Sequence, residues 1–227
     1  MAAAGTESIH TIVLDSSTPR PMANLITASR FVLLFVLVVM VYQLPPPWQF
    51  LNAPLLVLIF ALDGIDGYVA RKRREESLFG SVFDIAVDRV VENVLWLVTV
   101  HLGLVPVWVG IVFLTRGFLV DAVRAQGLKR GETPFAMART ALGRWLVAGR
   151  FMRFAYGAAK MLAFGWILLI QPWPQVFPEL WAEHGALLLG IMDALVLIAV
   201  VLCLARGLPV IVEFVASERV APARAAR

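Results

Sequence analysis

Apolar residues in this chain come in long blocks rather than in helical stripes, and a block of about twenty crosses the hydrocarbon core of a bilayer as a helix. Hydrophobic residues make up 60% of the 227, where soluble domains run nearer about 45–50%, and the mean hydropathy is +0.80. The expected fold class is an all-α polytopic membrane protein: six transmembrane helices with a juxtamembrane N-terminal segment, integral to the membrane, with the lipid bilayer and no nucleic acid as partner. The spans fall at residues 25–43, closed by Pro45-Pro46-Pro47, then 49–70, 79–100, 104–123, 152–171, ended by Pro172 and Pro174, and 186–205 with an extension toward Val215. Residues 1–22 form a cytoplasmic segment without a cleavable signal pattern, residues 23–215 the membrane domain, and 216–227 a cytoplasmic tail. The single cysteine, Cys203, excludes an intrachain disulfide and a cysteine-based zinc site. His10, His101 and His184 are scattered without ligand spacing.

Orientation follows from the placement of Lys and Arg. The connection after the second span reads Arg71-Lys72-Arg73-Arg74, the one after the fourth holds Arg124, Lys129, Arg130, Arg139, Arg144 and Arg150, and the tail holds Arg206, Arg219, Arg224 and Arg227. The connections at 44–48, 101–103 and 172–185 contain neither Lys nor Arg. This asymmetry puts both termini and both basic loops in the cytoplasm, with Trp48, Trp108, Trp173 and Trp181 near the opposite face. The long region 124–150 is basic and amphipathic, with Phe135, Met137, Leu142 and Trp145 among its charges. It reads as an interfacial helix or lid, or else as a solvated positive-inside loop.

Four carboxylates, Asp63, Asp66, Asp84 and Asp88, sit at the ends of the second and third apolar runs. Ionisable residues at membrane depth are costly and read as functional. Asp63 and Asp66 are three apart and share a helix face, as do Asp84 and Asp88, four apart. Two antiparallel helices joined by a short loop would bring all four together. Like charges that close cannot all stay ionised without a cation, and an all-oxygen donor set suits Mg²⁺ or Mn²⁺, with room for two ions. Gly64, Gly67, Ala70 and Gly80 lie on or beside the acidic face. They read either as a hollow that admits a nucleotide or as close helix packing.

The pattern D-x2-D-G-x2-A-R-x8-G-x3-D-x3-D, met by Asp63, Asp66, Gly67, Ala70, Arg71, Gly80, Asp84 and Asp88, closely resembles that of the CDP-alcohol phosphatidyltransferases. The resemblance implies a metal-dependent enzyme with six transmembrane helices and a cytoplasmic active site. An alcohol hydroxyl attacks the phosphorus attached to diacylglycerol in a CDP-diacylglycerol-type lipid, and CMP leaves. It further implies that Asp63, Asp66, Asp84 and Asp88 hold two ions. Asp88 acts as general base, and Asp66, Gly67, Ala70, Arg71 and Gly80 line the CDP pocket. A homodimer is implied as well.

Asn24-Leu25-Ile26-Thr27 followed by Arg30, and Thr115-Arg116 followed by Val123-Arg124, are similar to stretches of bacterial phosphatidylglycerophosphate synthases, which implies a bacterial inner membrane. Gly117 stands where those enzymes commonly carry an acid, and Ile85 and Asp88-Arg89 where they carry proline and Asp-Lys. Inositol-phosphate transferases of the family often have Asp-Arg there. Independently of any resemblance, Arg116, Arg150, Arg153 and Lys160 lie in or beside apolar spans four and five. There they either snorkel to lipid headgroups or grip an acceptor that carries a phosphate. Glycerol 3-phosphate fits that pocket best and inositol phosphate next. Glu92 is expected to pair with Arg89 or Arg116, Asp121 and Asp193 to satisfy cations or helix contacts, and Tyr156 to pack. An ion-coupled transporter is the reading from a different class, but it calls for acids near the midplane and an inverted repeat; the acids lie near one face and no repeat is visible.

The orientation is open to a direct check. In a Cys203→Ser background, single cysteines at Glu76 and Gly131 are expected to react with an impermeant thiol reagent only from the cytoplasmic side, and one at Gln175 only from the other. The reverse pattern would sink both the orientation and a cytoplasmic site.

Overall fold

Prolines and one glycine set the ends of the helices. In the computed structural model, which describes residues 21–73, 78–129 and 141–220, helix α1 (Pro21–Gln43) stops just before the proline triplet. Pro45 is extended at φ −65° and ψ 153°. Pro46 opens a one-turn helix α2 (Pro46–Gln49), where its missing N–H is not needed. Helix α3 (Asn52–Arg73) runs back, and α4 (Leu78–His101) returns. Gly103, at φ +69°, closes α4 in a Schellman turn: Leu104 N donates to Thr99 O at 2.9 Å and Gly103 N to Val100 O at 3.0 Å. The left-handed backbone there favours glycine. Helix α5 (Val107–Lys129), the short α6 (Ala141–Ala148), α7 (Arg150–Ile170), one-turn α8 (Trp173–Val176) and α9 (Pro178–Val220) complete the chain. No strand occurs among the described residues.

Four helical stretches among the described residues are long and apolar enough to cross a membrane: Asn24–Gln43, Pro46–Val69, Arg150–Val176 and Pro178–Ala216. The sequence pattern suggested six. Helices α4 and α5 have the length, at 24 and 23 residues. They fall short on composition because α4 carries Asp84, Asp88, Arg89 and Glu92, and α5 carries Arg116, Asp121 and Arg124. Helix α9 is 43 residues, about 65 Å at 1.5 Å per residue, and outruns a hydrocarbon core of about 30 Å. Its sequence-based span, 186–205, is only the middle of it. Pro209 sits inside α9 and withholds one donor from the helical ladder. Of region 124–150, the first residues extend α5 and the last form α6. Residues 130–140, with Phe135 and Met137, lie outside the described residues, as do 1–20, 74–77 and 221–227.

The bundle closes through α1 on α3 and α4, α4 on α5, α5 and α7 on α9, and α3 on α7. Its centre is aromatic. Trp96 of α4, fully buried, stacks on Phe113 of α5 with centroids 4.2 Å apart and meets Phe164 of α7 at 4.4 Å. Around it sit Leu34, Leu37, Leu56, Ile59, Ile167 and Ala199. The outer faces are apolar too: Val32, Val57, Leu97, Ile111, Leu162, Leu187 and Val201 are exposed. Apolar residues both inside and outside are what a bundle immersed in lipid requires, so the protein is an integral membrane protein.

Because Trp96 joins three helices, Trp96→Ala is expected to destabilise the folded bundle by about 3–5 kcal/mol through the cavity it leaves. The lipid-facing Leu97→Ala should change it little. Thermal unfolding of the detergent-solubilised pair checks the contrast.

Candidate active site

One guanidinium gathers four carboxylates at the end of the bundle where α3 closes and α4 opens. Arg30 projects from α1, an otherwise apolar helix, and is 2% exposed. Its Nη2 lies 2.6 Å from Asp63 Oδ1 and 2.7 Å from Asp88 Oδ1, and its Nη1 3.1 Å from both Asp66 Oδ2 and Asp84 Oδ1. Thr27, one turn earlier on α1, donates its hydroxyl to Asp66 Oδ2 at 3.0 Å. The other Asp66 oxygen accepts the Gly67 N–H at 2.6 Å. Asp66 is buried and forms the floor. Asp63, Asp84 and Asp88 keep 40%, 42% and 52% of their side-chain surface and form an open rim.

This cage fits a divalent cation. Asp63, Asp66 and Asp84 each offer an oxygen within 4.8 Å of the others, a grouping of hard oxygen donors that could hold a metal ion. A positive group already occupies the focus of the carboxylates, which indicates what the site prefers. Asp88 faces the same guanidinium from the rim. Gly67 and Gly80 lie partly buried on α3 and α4 beside the cage. The side chains of Ala70 and Arg71 lie outside the described ones.

On α4, one turn beyond Asp88, a second polar chamber begins. Glu92 is buried and accepts hydrogen bonds from the Tyr156 hydroxyl at 2.7 Å and from Lys160 Nζ at 2.9 Å. Arg89 reaches Glu92 at 3.4 Å and bonds Asp121 of α5 at 2.9 Å. The expected pairing of Glu92 with Arg89 or Arg116 is thus mainly a pairing with Lys160, while Asp121 does satisfy a cation. Three cations surround the Tyr156 ring: Lys160 Nζ at 4.5 Å, and the guanidinium carbons of Arg206 and Arg116 at 5.2 and 5.6 Å from its centroid. Tyr156 therefore does more than pack.

The cations expected to act together are divided by the structure. Lys160 is neutralised by Glu92, a residue from another helix that spacing along α7 cannot bring to mind. Arg150 and Arg153 sit exposed at the start of α7, Arg153 within electrostatic range of Arg206. Arg116 is buried, and its Nε, like those of Arg124 and Arg206, has no hydrogen-bond partner among the described residues. Arg124 lies near Arg116, and Arg206 near both. Glycine makes room for this: a Cβ on Gly207 would meet Arg116 Cγ at 2.5 Å and Nε at 2.7 Å. Arg89–Asp121 and Lys160–Glu92 are each paired, so among the described groups around the Tyr156 ring Arg116, Arg124 and Arg206 are left in excess, a grouping suited to an anion.

Sequence reasoning gave no site role to three participants, although Arg30 and Arg124 stood in the stretches similar to the synthases. Arg30 was visible as a lone cation in an apolar run, a signal that a buried partner exists. Arg124 and Arg206 were both counted among the positive-inside residues, and only the packing of α5 and α9 turns them inward.

Comparison with known proteins agrees with this geometry. The profile of the CDP-alcohol phosphatidyltransferase family matches residues 20–204, and the chain belongs to that family. It is similar to the CDP-diacylglycerol–glycerol-3-phosphate 3-phosphatidyltransferase of Escherichia coli (strain K12), 28% identical over 75% of this chain and 85% of that protein. The match to the enzyme of the same name from Salmonella choleraesuis (strain SC-B67) has the same identity and coverage. The Bacillus subtilis (strain 168) enzyme of that name is 29% identical over 41% of this chain, and the match spans about half, 49%, of its length.

Proposed function

We propose that this protein transfers a phosphatidyl group from a CDP-diacylglycerol-type lipid to the hydroxyl of glycerol 3-phosphate and releases CMP. The observation that carries the reading is adjacency: the carboxylate cage, through Asp84 and Asp88, and the second polar chamber, through Glu92, meet on neighbouring turns of α4, and Arg116 and Arg124 of α5 and Arg206 of α9 stand in excess around that chamber. A substrate pair with a pyrophosphate and a separate phosphate needs both. The names of the relatives favour glycerol 3-phosphate over inositol phosphate. Arg116, Arg124 and Arg206 hold the acceptor phosphate, with Arg153 at its entrance and Arg150 beyond. The Tyr156 ring and Gly207 keep Arg116 in place. Held so, the acceptor hydroxyl reaches toward the rim, where Asp88 takes its proton as general base. The hydroxyl oxygen bonds to the phosphorus attached to diacylglycerol, and the bond from that phosphorus to the CMP oxygen breaks. Gly67, Ala70, Arg71 and Gly80 line the CDP pocket. Asp63, Asp66, Asp84 and Asp88 would hold two Mg²⁺ or Mn²⁺ ions, whose charge would offset the pyrophosphate and stabilise the departing CMP.

All six long helices cross the bilayer in this reading. The charges of α4 and α5 are paired or turned inward, which removes the objection that their composition raises. The absence of Lys and Arg from alternate connections supports a cytoplasmic active site, and the bacterial relatives support a bacterial inner membrane. The family resemblance implies that the chain works as a homodimer.

Two measurements of CMP release test the proposal. Activity should require Mg²⁺ or Mn²⁺, vanish with a chelator and be abolished by Asp84→Asn in a protein that remains folded and inserted; chelator-resistant turnover would rule the cage out as a metal site.

The second concerns the acceptor. Arg116→Ala and Gly207→Leu, which respectively remove and displace the same guanidinium, should each raise the KM for glycerol 3-phosphate roughly tenfold to a hundredfold. That is the loss of a charged hydrogen-bonding partner, about 1.5–3 kcal/mol. The KM for the CDP-lipid should stay nearly unchanged. Efficient use of free glycerol or serine would defeat the phosphate pocket while leaving the transferase chemistry intact.

A further inference from the structure

We propose that Arg30 is a resident counter-cation, a positioning residue that holds the carboxylate cage assembled without metal and yields it when a divalent ion binds. The inference rests on the metal reading of the cage. Arg30 is buried and contacts all four acids through its two terminal nitrogens at 2.6–3.1 Å. Without a positive charge between them, four carboxylates from two helices would repel one another. Arg30 comes from a third helix, so the same contacts also tie α1 to α3 and α4.

Competition follows from the occupancy of Asp66. Its Oδ2 already accepts from Thr27 and Arg30, and its Oδ1 from the Gly67 N–H. Asp66 therefore has little acceptor capacity to spare for a metal while Arg30 holds it. The nearest atoms of Asp63, Asp84 and Asp88 are likewise engaged by the guanidinium. A metal that binds these oxygens has to displace Arg30 from at least some of them, against the repulsion of its charge. Part of the intrinsic metal affinity is then spent on moving Arg30, and the protein keeps its fold during metal exchange. Arg30 is distinct in this from the acids, whose removal can only weaken metal binding.

The experiment measures Mn²⁺ binding to the full chain in nanodiscs by the electron paramagnetic resonance signal of free Mn²⁺, alongside thermal unfolding with Mn²⁺ and with chelator. Wild type, Arg30→Gln, Arg30→Lys and Asp84→Asn are compared. Arg30→Gln should bind Mn²⁺ more tightly than wild type, by on the order of tenfold, a typical coupling between competing sites. It should melt well below wild type in chelator and recover most of the difference when Mn²⁺ is added. Arg30→Lys, which keeps the charge, should remain near wild type in chelator. Equal or weaker Mn²⁺ binding by Arg30→Gln overturns the proposal, as does an Arg30→Gln protein that stays unfolded at saturating Mn²⁺, because the guanidinium would then be structural beyond its charge. Absence of saturable Mn²⁺ binding in wild type, or unchanged binding in Asp84→Asn, overturns the metal reading itself and the proposal with it.

Discussion

Buried charge has to meet opposite charge inside this bundle, and Arg30 meets Asp63, Asp66, Asp84 and Asp88 at one point, one positive group among four negative ones. A guanidinium in the apolar helix α1 and a floor carboxylate on α3 would each be expensive beside lipid. Together, with Thr27 bonded to Asp66, they fix how three helices lie against one another at the end of the bundle that carries the site. The attraction between this guanidinium and the carboxylates therefore specifies the packing and the functional geometry at once. Replacing such a network by apolar residues would not necessarily weaken the fold, but it would remove the cage.

The second polar layer obeys the same constraint in a different way. Glu92 and Asp121 are balanced by Lys160 and Arg89, and Tyr156 links this layer to the arginines through its hydroxyl and its ring. Arg116, Arg124 and Arg206 then remain in excess, clustered where α4, α5, α7 and α9 converge. An acidic cage beside a basic chamber is a suitable arrangement for joining two anions. One region accepts a cation that screens a pyrophosphate, and the other screens a phosphate directly. The aromatic centre at Trp96, Phe113 and Phe164 holds the same helices one layer deeper and keeps the two regions in register.

Helix α4 connects these layers. Its residues Asp84, Asp88, Glu92 and Trp96 follow at intervals of about one turn, with Arg89 beside Asp88, and take part in the cage, the chamber and the aromatic core in turn. That crowding of charge is why α4 lacks the composition of a membrane span although it has the length of one. Pairing inside the bundle leaves residues such as Val82, Ile85 and Leu97 exposed, so its outer face is as apolar as those of its neighbours.

Apolar blocks, proline stops and the spacing of four acids are local properties, so the sequence by itself determined the helical membrane class, the places where α1 and α7 end, and the family. Partners across helices are not local. That Lys160 answers Glu92 from another helix, that Arg206 and Arg124 turn toward Arg116, and that Gly207 clears space for Arg116 depend on how α4, α5, α7 and α9 pack. The same holds for Arg30: its isolation in an apolar helix announced a partner, but only the tertiary structure decided that the partner is all four acids at once. A buried charge must find its counterion wherever the chain brings one within reach, and reach is set by the three-dimensional arrangement of helices rather than by position along any one of them.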